Sequence, residues 1–141
     1  RFDNCLIDGS ISGDTTRTYR GEIALISRNG DTAGSDAFNY RFTACYILTK
    51  AITNNPRFDR CLFGFSQKPI YLKSGTRKQA YAYDFRLANK SVGIGAADHT
   101  VAAEFPTDRY GVSRLTGSTT STIGAYEHVH QPEEEKPSAR R

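Results

Sequence analysis

Apolar and polar residues alternate with a period of two along several stretches of this chain. From Gln79 to Leu87, Tyr81, Tyr83, Phe85 and Leu87 fall on one side and Ala80, Ala82, Asp84 and Arg86 on the other. That is the pattern of a strand with one buried face. Tyr40 to Leu48 alternates less regularly, with Tyr40, Phe42, Ala44, Tyr46 and Leu48 opposing Arg41, Thr43, Cys45 and Ile47. Phe42, Cys45, Tyr46, Thr49 and Ile52 also share a helical stripe that Pro56 would end, so one short helix near 42–53 is the alternative. Tyr, Phe, Thr and Ile suit a pleated surface, which favours the strand. Shorter runs predict strands at Glu22 to Ser27, Cys61 to Phe65, Pro69 to Leu72, His99 to Phe105 and Thr122 to Val129.

Turn clusters separate these runs: Asp8-Gly9, Ser12-Gly13-Asp14, Asn29-Gly30-Asp31, Ser74-Gly75 and Gly117-Ser118. Asn29-Gly30 is the strongest of them, because both residues accept the positive φ of a tight hairpin. About seven strands at this spacing predict a mainly β fold, an antiparallel β-sandwich or barrel. No series of long amphipathic helices alternates with the strands, which argues against a parallel α/β sheet.

One short phrase returns. Arg1-Phe2-Asp3-Asn4-Cys5-Leu6 reappears as Arg57-Phe58-Asp59-Arg60-Cys61-Leu62, five of six positions identical. A near-copy at a fixed offset is how a duplicated unit shows in sequence, here units 1–56 and 57–129 of a single β-rich domain spanning 1–129. Phe42-Thr43-Ala44-Cys45 resembles a four-residue phrase of the small linker polypeptides of phycobilisomes; a match of that length carries no function across. Residues 130–141 contain two prolines, three consecutive glutamates and a terminal Arg-Arg. With little apolar surface to offset ordering entropy, they read as a charged C-terminal arm that a neighbouring subunit would hold.

Composition adds limits. A chain of 141 residues is long enough for one core without metals or disulfides. Met and Trp are absent, so the eight Tyr and eight Phe must supply much of the buried area. The net charge is +4, with thirteen arginines against six lysines, a bias toward planar contacts with carboxylates or phosphates. Three cysteines at 5, 45 and 61 form no CxxC pair and no even framework. Cys45 reads as a small buried hydrophobe, while Cys5 and Cys61 hold equivalent repeat positions and could be bridged or free. No stretch approaches the ~20 apolar residues of a membrane helix, so no membrane insertion is expected.

Candidate chemistry is sparse. His128 and His130 would share a face on a strand, but zinc takes three or four protein ligands, and His99 beside Asp98 would have to arrive through the fold. Gly64-Phe65-Ser66 lacks the second glycine of a nucleophile elbow. Asp84, Asp98, Glu104 and Asp108 are the acids from which a catalytic pair could be drawn, and nothing in their spacing selects two. Gly93-Ile94-Gly95 lacks the following helix of a dinucleotide loop. Asn89-Lys90-Ser91 fits a glycosylation acceptor. No catalytic set, metal site or cofactor site is therefore expected.

Arginine beside an aromatic recurs at Tyr19-Arg20, Arg41-Phe42, Arg57-Phe58, Phe85-Arg86 and Arg109-Tyr110. Neighbours on a strand point to opposite faces, which turns the rings inward and the guanidiniums outward. The leading expectation is a non-enzymatic structural or assembly subunit of a larger complex or particle. It would pair with other protein subunits, as a homo- or hetero-oligomer, through Arg109, Tyr110, His130, Glu133, Glu134, Glu135, Arg140 and Arg141. One alternative is a nucleic-acid-binding module contacting phosphates through Arg20, Arg41, Arg57 and Arg86. The other is a small glycan-binding or hydrolase domain, which needs a pocket where polar groups converge.

Overall fold

The structure is a computed structural model that describes residues 1–9, 21–23, 39–50, 54–64, 69–73, 84–115 and 121–132. Among them the protein is mainly β with one short helix. The organising unit is Arg-Phe-x-x-Cys followed by two apolar residues, at 1–7, 41–47 and 57–63. Each copy makes a two-residue strand, a bend and a second two-residue strand. The first copy gives β1 (Phe2–Asp3) and β2 (Leu6–Ile7), the second β3 (Phe42–Thr43) and β4 (Tyr46–Ile47), and the third β5 (Phe58–Asp59) and β6 (Leu62–Phe63). The bend is the same in all three: Asn4, Ala44 and Arg60 take φ of 51°, 49° and 51°. Left-handed backbone costs an ordinary L-residue roughly 1–2 kcal/mol. Asn tolerates it best, so Ala44 and Arg60 hold it against preference.

The copies stack as three rungs. β1, β3 and β5 form one parallel sheet and β2, β4 and β6 a second, with Phe2 opposite Phe42 opposite Phe58, and Leu6 opposite Tyr46 opposite Leu62. Across the rungs, the Phe42 amide donates to the Arg57 carbonyl at 2.8 Å and the Tyr46 amide to the Cys5 carbonyl at 2.9 Å. Identical residues therefore sit above one another. The rings of Phe2 and Phe42 stack at 4.7 Å and 8°, those of Phe42 and Phe58 at 5.0 Å and 1°, close to the interstrand spacing of about 4.8 Å. The three cysteines form a second column, with Cys45 fully buried between half-buried Cys5 and Cys61.

Both faces of the second sheet are covered. On one side Phe42, Cys45 and Ile47 pack with Tyr40, Ile7, Ile23, Phe58 and Phe63. On the other, Tyr46 and Leu48 pack against Ile123, with Leu6, Leu62, Val92, Ala96 and Ala97 around them. This second layer comes from the C-terminal part of the chain. There β7 (Tyr71–Lys73) pairs antiparallel with β8 (Asp84–Leu87), and α1 (His99–Glu104) follows a turn. Gly124 closes the first rung: its amide donates to the Asn4 carbonyl at 2.9 Å. Its φ of +107° favours glycine; a Cβ there would meet Leu6 only at an ordinary contact distance of 3.6 Å.

Several expectations are corrected. The strands of the repeat pair parallel rather than antiparallel, and among the described residues no sheet closes into a barrel. The two near-identical phrases are the first and third rungs of one stack, and Phe42-Thr43-Ala44-Cys45 lies in the middle one. The alternative helix near 42–53 is absent over the described residues 42–50, where β3 and β4 lie. The strand expected from His99 to Phe105 is α1, because Asp98 caps it: its side chain accepts from the amides of Thr100 and Val101. Thr122 to Val129 forms no strand; the bridge between Ala97 and Ser121 lies just before it. Phe85, expected inside, is 58% exposed, while Leu87 is buried as expected. Tyr81 and Tyr83 lie outside the described residues, as do Asn29-Gly30 and most of the strand expected at 22–27.

Candidate functional site

The bends of the three rungs make a column on the outside of the stack, Asn4–Ala44–Arg60, and Asp98 docks on it. Asn4 donates from Nδ2 to the Asp98 carbonyl at 3.0 Å and accepts the Asp98 amide at Oδ1 at 2.6 Å. Arg60, two rungs away, forms an ion pair with the Asp98 carboxylate. The Arg60 guanidinium, helped by the amides of Val101 and Thr100, holds the Asp98 carboxyl below its ordinary range. A shallow groove beside α1 is lined by Arg1, Arg41, Asp59, Arg60, Asp98 and Glu104. Within it Arg41 pairs with Asp59 at 3.5 Å and Arg60 with Asp59 at 3.4 Å, while Arg1 pairs with Asp3 at 2.7 Å.

A second polar cluster fixes the segment that caps the first rung. Asp108 accepts the amides of Tyr110 at 2.7 Å and Val112 at 2.9 Å on one oxygen and that of Glu127 at 2.9 Å on the other. Burial alone would raise its pKa; the three amides and the charge of Arg114 outweigh that and lower it. Glu127 in turn accepts the Thr122 hydroxyl at 2.6 Å, and Arg114 donates to the carbonyls of Thr122 at 3.3 Å and Gly124 at 3.0 Å. Every charge here has a protein partner, so the cluster reads as a clamp.

Above this clamp the chain exposes rings and guanidiniums together. Tyr110 is 67% exposed and stacks on Tyr126 at 5.0 Å. The Arg86 guanidinium lies 5.8 Å from the Tyr110 ring centre and is held by Asp84, with Nε at 3.0 Å. Phe85 meets Tyr71 edge-on at 5.7 Å. Arg109 stands beside them, exposed, with no hydrogen bond or ion pair to a described residue.

This patch borders a cleft of about 620 Å³, within the range of small-ligand sites. Arg109, Phe85 and Tyr126 line it together with Asp3, Asp8 and Tyr71 from the first rung and β7. The Tyr71 hydroxyl donates to Asp8 Oδ2 at 2.8 Å, and burial followed by that bond raises the phenol's pKa. The other oxygens of both acids, Asp3 Oδ1 and Asp8 Oδ1, are buried without a hydrogen-bond partner among the described residues.

The expected contact residues thus separate. Arg86, Arg109 and Tyr110 come together in the patch. Arg41 sits in the groove beside α1, and Arg57 lies 5.0 Å over the Tyr40 ring while donating to Asn39 at 3.1 Å. His130 is exposed where the chain leaves the domain; Gln131 is tied to Asn89 by bonds of 2.7 and 3.0 Å. Arg20, Glu133, Glu134, Glu135, Arg140 and Arg141 lie outside the described residues. Asp8, Tyr71 and Tyr126 were not anticipated; only Asp8, in a turn next to the repeat, carried any signal in the sequence.

His128 does not pair with His130 for a metal. Its Nδ1 lies 3.1 Å from the Leu87 carbonyl and, facing an acceptor, donates to it. Among the described residues no three His, Cys, Asp or Glu side chains are placed to hold a metal ion, and no helix is long and apolar enough to cross a membrane. No family model, curated protein or solved structure matches this chain.

Proposed function

We propose that this domain is a non-enzymatic structural or assembly subunit of a larger complex or particle, working through protein–protein contacts and the C-terminal arm 130–141. The observation that carries this reading is the patch of Phe85, Arg86, Arg109, Tyr110 and Tyr126. Tyr and Arg dominate interface hot spots because they bury large area at little entropic cost while offering directed bonds. The patch rests on two rigid supports, the Asp108–Glu127 clamp and the three-rung stack, so little order has to be gained on binding. The tie between Asn89 and Gln131 gives the arm a fixed point of departure.

Binding of nucleic acid is the weaker alternative. Arg41 and Arg86 each face a carboxylate, and Arg57 is occupied by Asn39 and Tyr40; phosphate contacts would have to compete with these bonds.

Sedimentation velocity of the wild-type chain over a concentration series tests the assembly reading. The wild type associates as concentration rises, and the Phe85→Ala/Tyr110→Ala variant remains a monomer. A wild type that stays monomeric up to roughly millimolar concentration contradicts assembly through this patch.

A further inference from the structure

The three cysteines form a chemical unit that the assembly reading leaves unused. Each stands one residue before the register-matched trio Leu6, Tyr46 and Leu62, so they lie level on consecutive rungs. Each thiol also takes the same direction. Cys5 donates to the Asp3 carbonyl at 3.2 Å, Cys45 to that of Thr43 at 3.3 Å and Cys61 to that of Asp59 at 3.5 Å. Equal register and equal direction place the sulfurs in one line along the stack. The middle sulfur, of Cys45, also lies 3.4 Å from the Phe2 carbonyl of the first rung. Neighbouring rungs are about 4.8 Å apart, inside the roughly 4.4–6.8 Å between Cα atoms that a disulfide bridges. Cys5 and Cys61, two rungs apart at about 9.6 Å, lie outside it. All three are free thiols.

We propose that this column is a redox site in which Cys45 forms a disulfide with either neighbour and the third thiol exchanges into it, with a peroxide as the oxidant. The entry points are the two ends of the column, Cys5 and Cys61, both partly exposed; Cys5 also borders the cleft over the first rung. Contact with the Cys45 thiol draws their pKa values down, which enlarges the share of nucleophilic thiolate. The Cys5 thiolate attacks one peroxide oxygen. The S–O bond forms, the O–O bond breaks, and the departing hydroxide takes up a proton, leaving a sulfenic acid. The Cys45 sulfur then attacks that of Cys5. The S–S bond forms, the S–O bond breaks, and water leaves with the Cys45 proton. Two thiols and one peroxide become one disulfide and two waters. Cys61 reacts in the same way from the other end. Thiol–disulfide exchange brings an attacking, a central and a leaving sulfur into line, and the column supplies that line. The Cys61 thiolate attacks Cys45, and Cys5 leaves as thiolate with no further oxidation. The bridge therefore locks the middle rung to the first or to the third.

The inference does not rest on the assembly reading, since Phe85, Arg86, Arg109, Tyr110 and Tyr126 take no part in it. The test is oxidation of the reduced native chain with a small excess of hydrogen peroxide, an acid quench, and non-reducing peptide mass spectrometry. Trypsin places the three cysteines on separate peptides. Cys5–Cys45 and Cys45–Cys61 links both form within one chain, and no Cys5–Cys61 link forms. The same oxidation in concentrated urea yields the Cys5–Cys61 link as well. Cys61→Ser leaves Cys5–Cys45 as the single link, and Cys5→Ser leaves Cys45–Cys61. Cys45→Ala forms no link in the native state and stops at sulfenic or sulfinic acid. A native wild type without an intramolecular disulfide overturns the inference. So does a native Cys5–Cys61 link, a pattern identical with and without urea, or a wild type that forms one of the two links alone.

Discussion

Asn4 and Asp98, 94 residues apart in the chain, exchange two hydrogen bonds, amide to carbonyl at 3.0 Å and backbone amide to side-chain oxygen at 2.6 Å. Through this pair the left-handed bend of the first rung grips the capping residue of α1, and the repeat and the C-terminal layer become one body. Asn suits this position twice, tolerating positive φ and presenting both a donor and an acceptor. Replacing it removes both bonds and leaves the Asp98 amide without a partner. Asn4→Ala is expected to cost about 2 kcal/mol in urea unfolding, whereas Lys90→Ala, at an exposed position, stays within about 0.5 kcal/mol.

The aromatic column makes unequal demands on its members. Phe42 is 4% exposed and stacks on both faces, while Phe2 is 47% exposed and stacks on one. Phe42→Ala should lower stability by about 3–5 kcal/mol and Phe2→Ala by about 1 kcal/mol, read from the denaturation midpoint at unchanged slope. Equal losses would show that the ring at the end is as enclosed as the ring in the middle.

Acid should unfold the domain through two carboxylates. The pKa of Asp98 is depressed chiefly by Arg60; that of Asp108 is depressed by backbone amides and Arg114 against the effect of burial. A depressed folded-state pKa contributes stability that is present above the unfolded value, about 3.9, and is lost as pH falls through the folded one. The unfolding free energy is therefore expected to hold from pH 7 to about 5 and fall below about 4. Asp98→Asn should make that fall shallower. An acid limb unchanged in both Asp98→Asn and Asp108→Asn would contradict the assignment.

The cysteine column predicts a graded thiol reactivity. Cys45 is fully buried, and contact with its neighbours followed by burial pushes its pKa up, whereas contact with Cys45 draws those of Cys5 and Cys61 down. Thiolate, not thiol, is the reactive form. Iodoacetamide at pH 8 should label Cys5 and Cys61 in the native protein and Cys45 only after unfolding, as read by peptide mass spectrometry. Early labelling of Cys45 would place it outside the core.

What the sequence disclosed followed the length of each signal. The strand character of 40–48 was legible in its aromatic and β-branched residues, which decided against a helix where alternation was irregular. The repeat was legible in its first and third copies, which share five of six residues. The middle copy escaped because only Arg41, Phe42 and Cys45 match both of the others; a search on Arg-Phe-x-x-Cys rather than on identity would have found it. Parallel pairing left no local trace, since strands of two residues are too short for a face pattern and their partners lie far along the chain. Helix α1 was legible in principle: Asp98 before His-Thr-Val-Ala-Ala-Glu is a cap and a short run of which Ala and Glu favour helix, but a run this short was read as one of the shorter strands. At the site, Arg109 and Tyr110 were visible as neighbours, while Tyr126, Tyr71 and Asp8 reach the same cleft only through tertiary contacts.

The account depends on three copies of one phrase lying parallel and in register. Nuclear Overhauser contacts among the phenylalanine rings test this directly. Stacked rungs give contacts between Phe2 and Phe42 and between Phe42 and Phe58, and none between Phe2 and Phe58. Contacts placing Phe2 beside Tyr46, or Phe42 beside Leu62, as antiparallel pairing of these copies would give, contradict it.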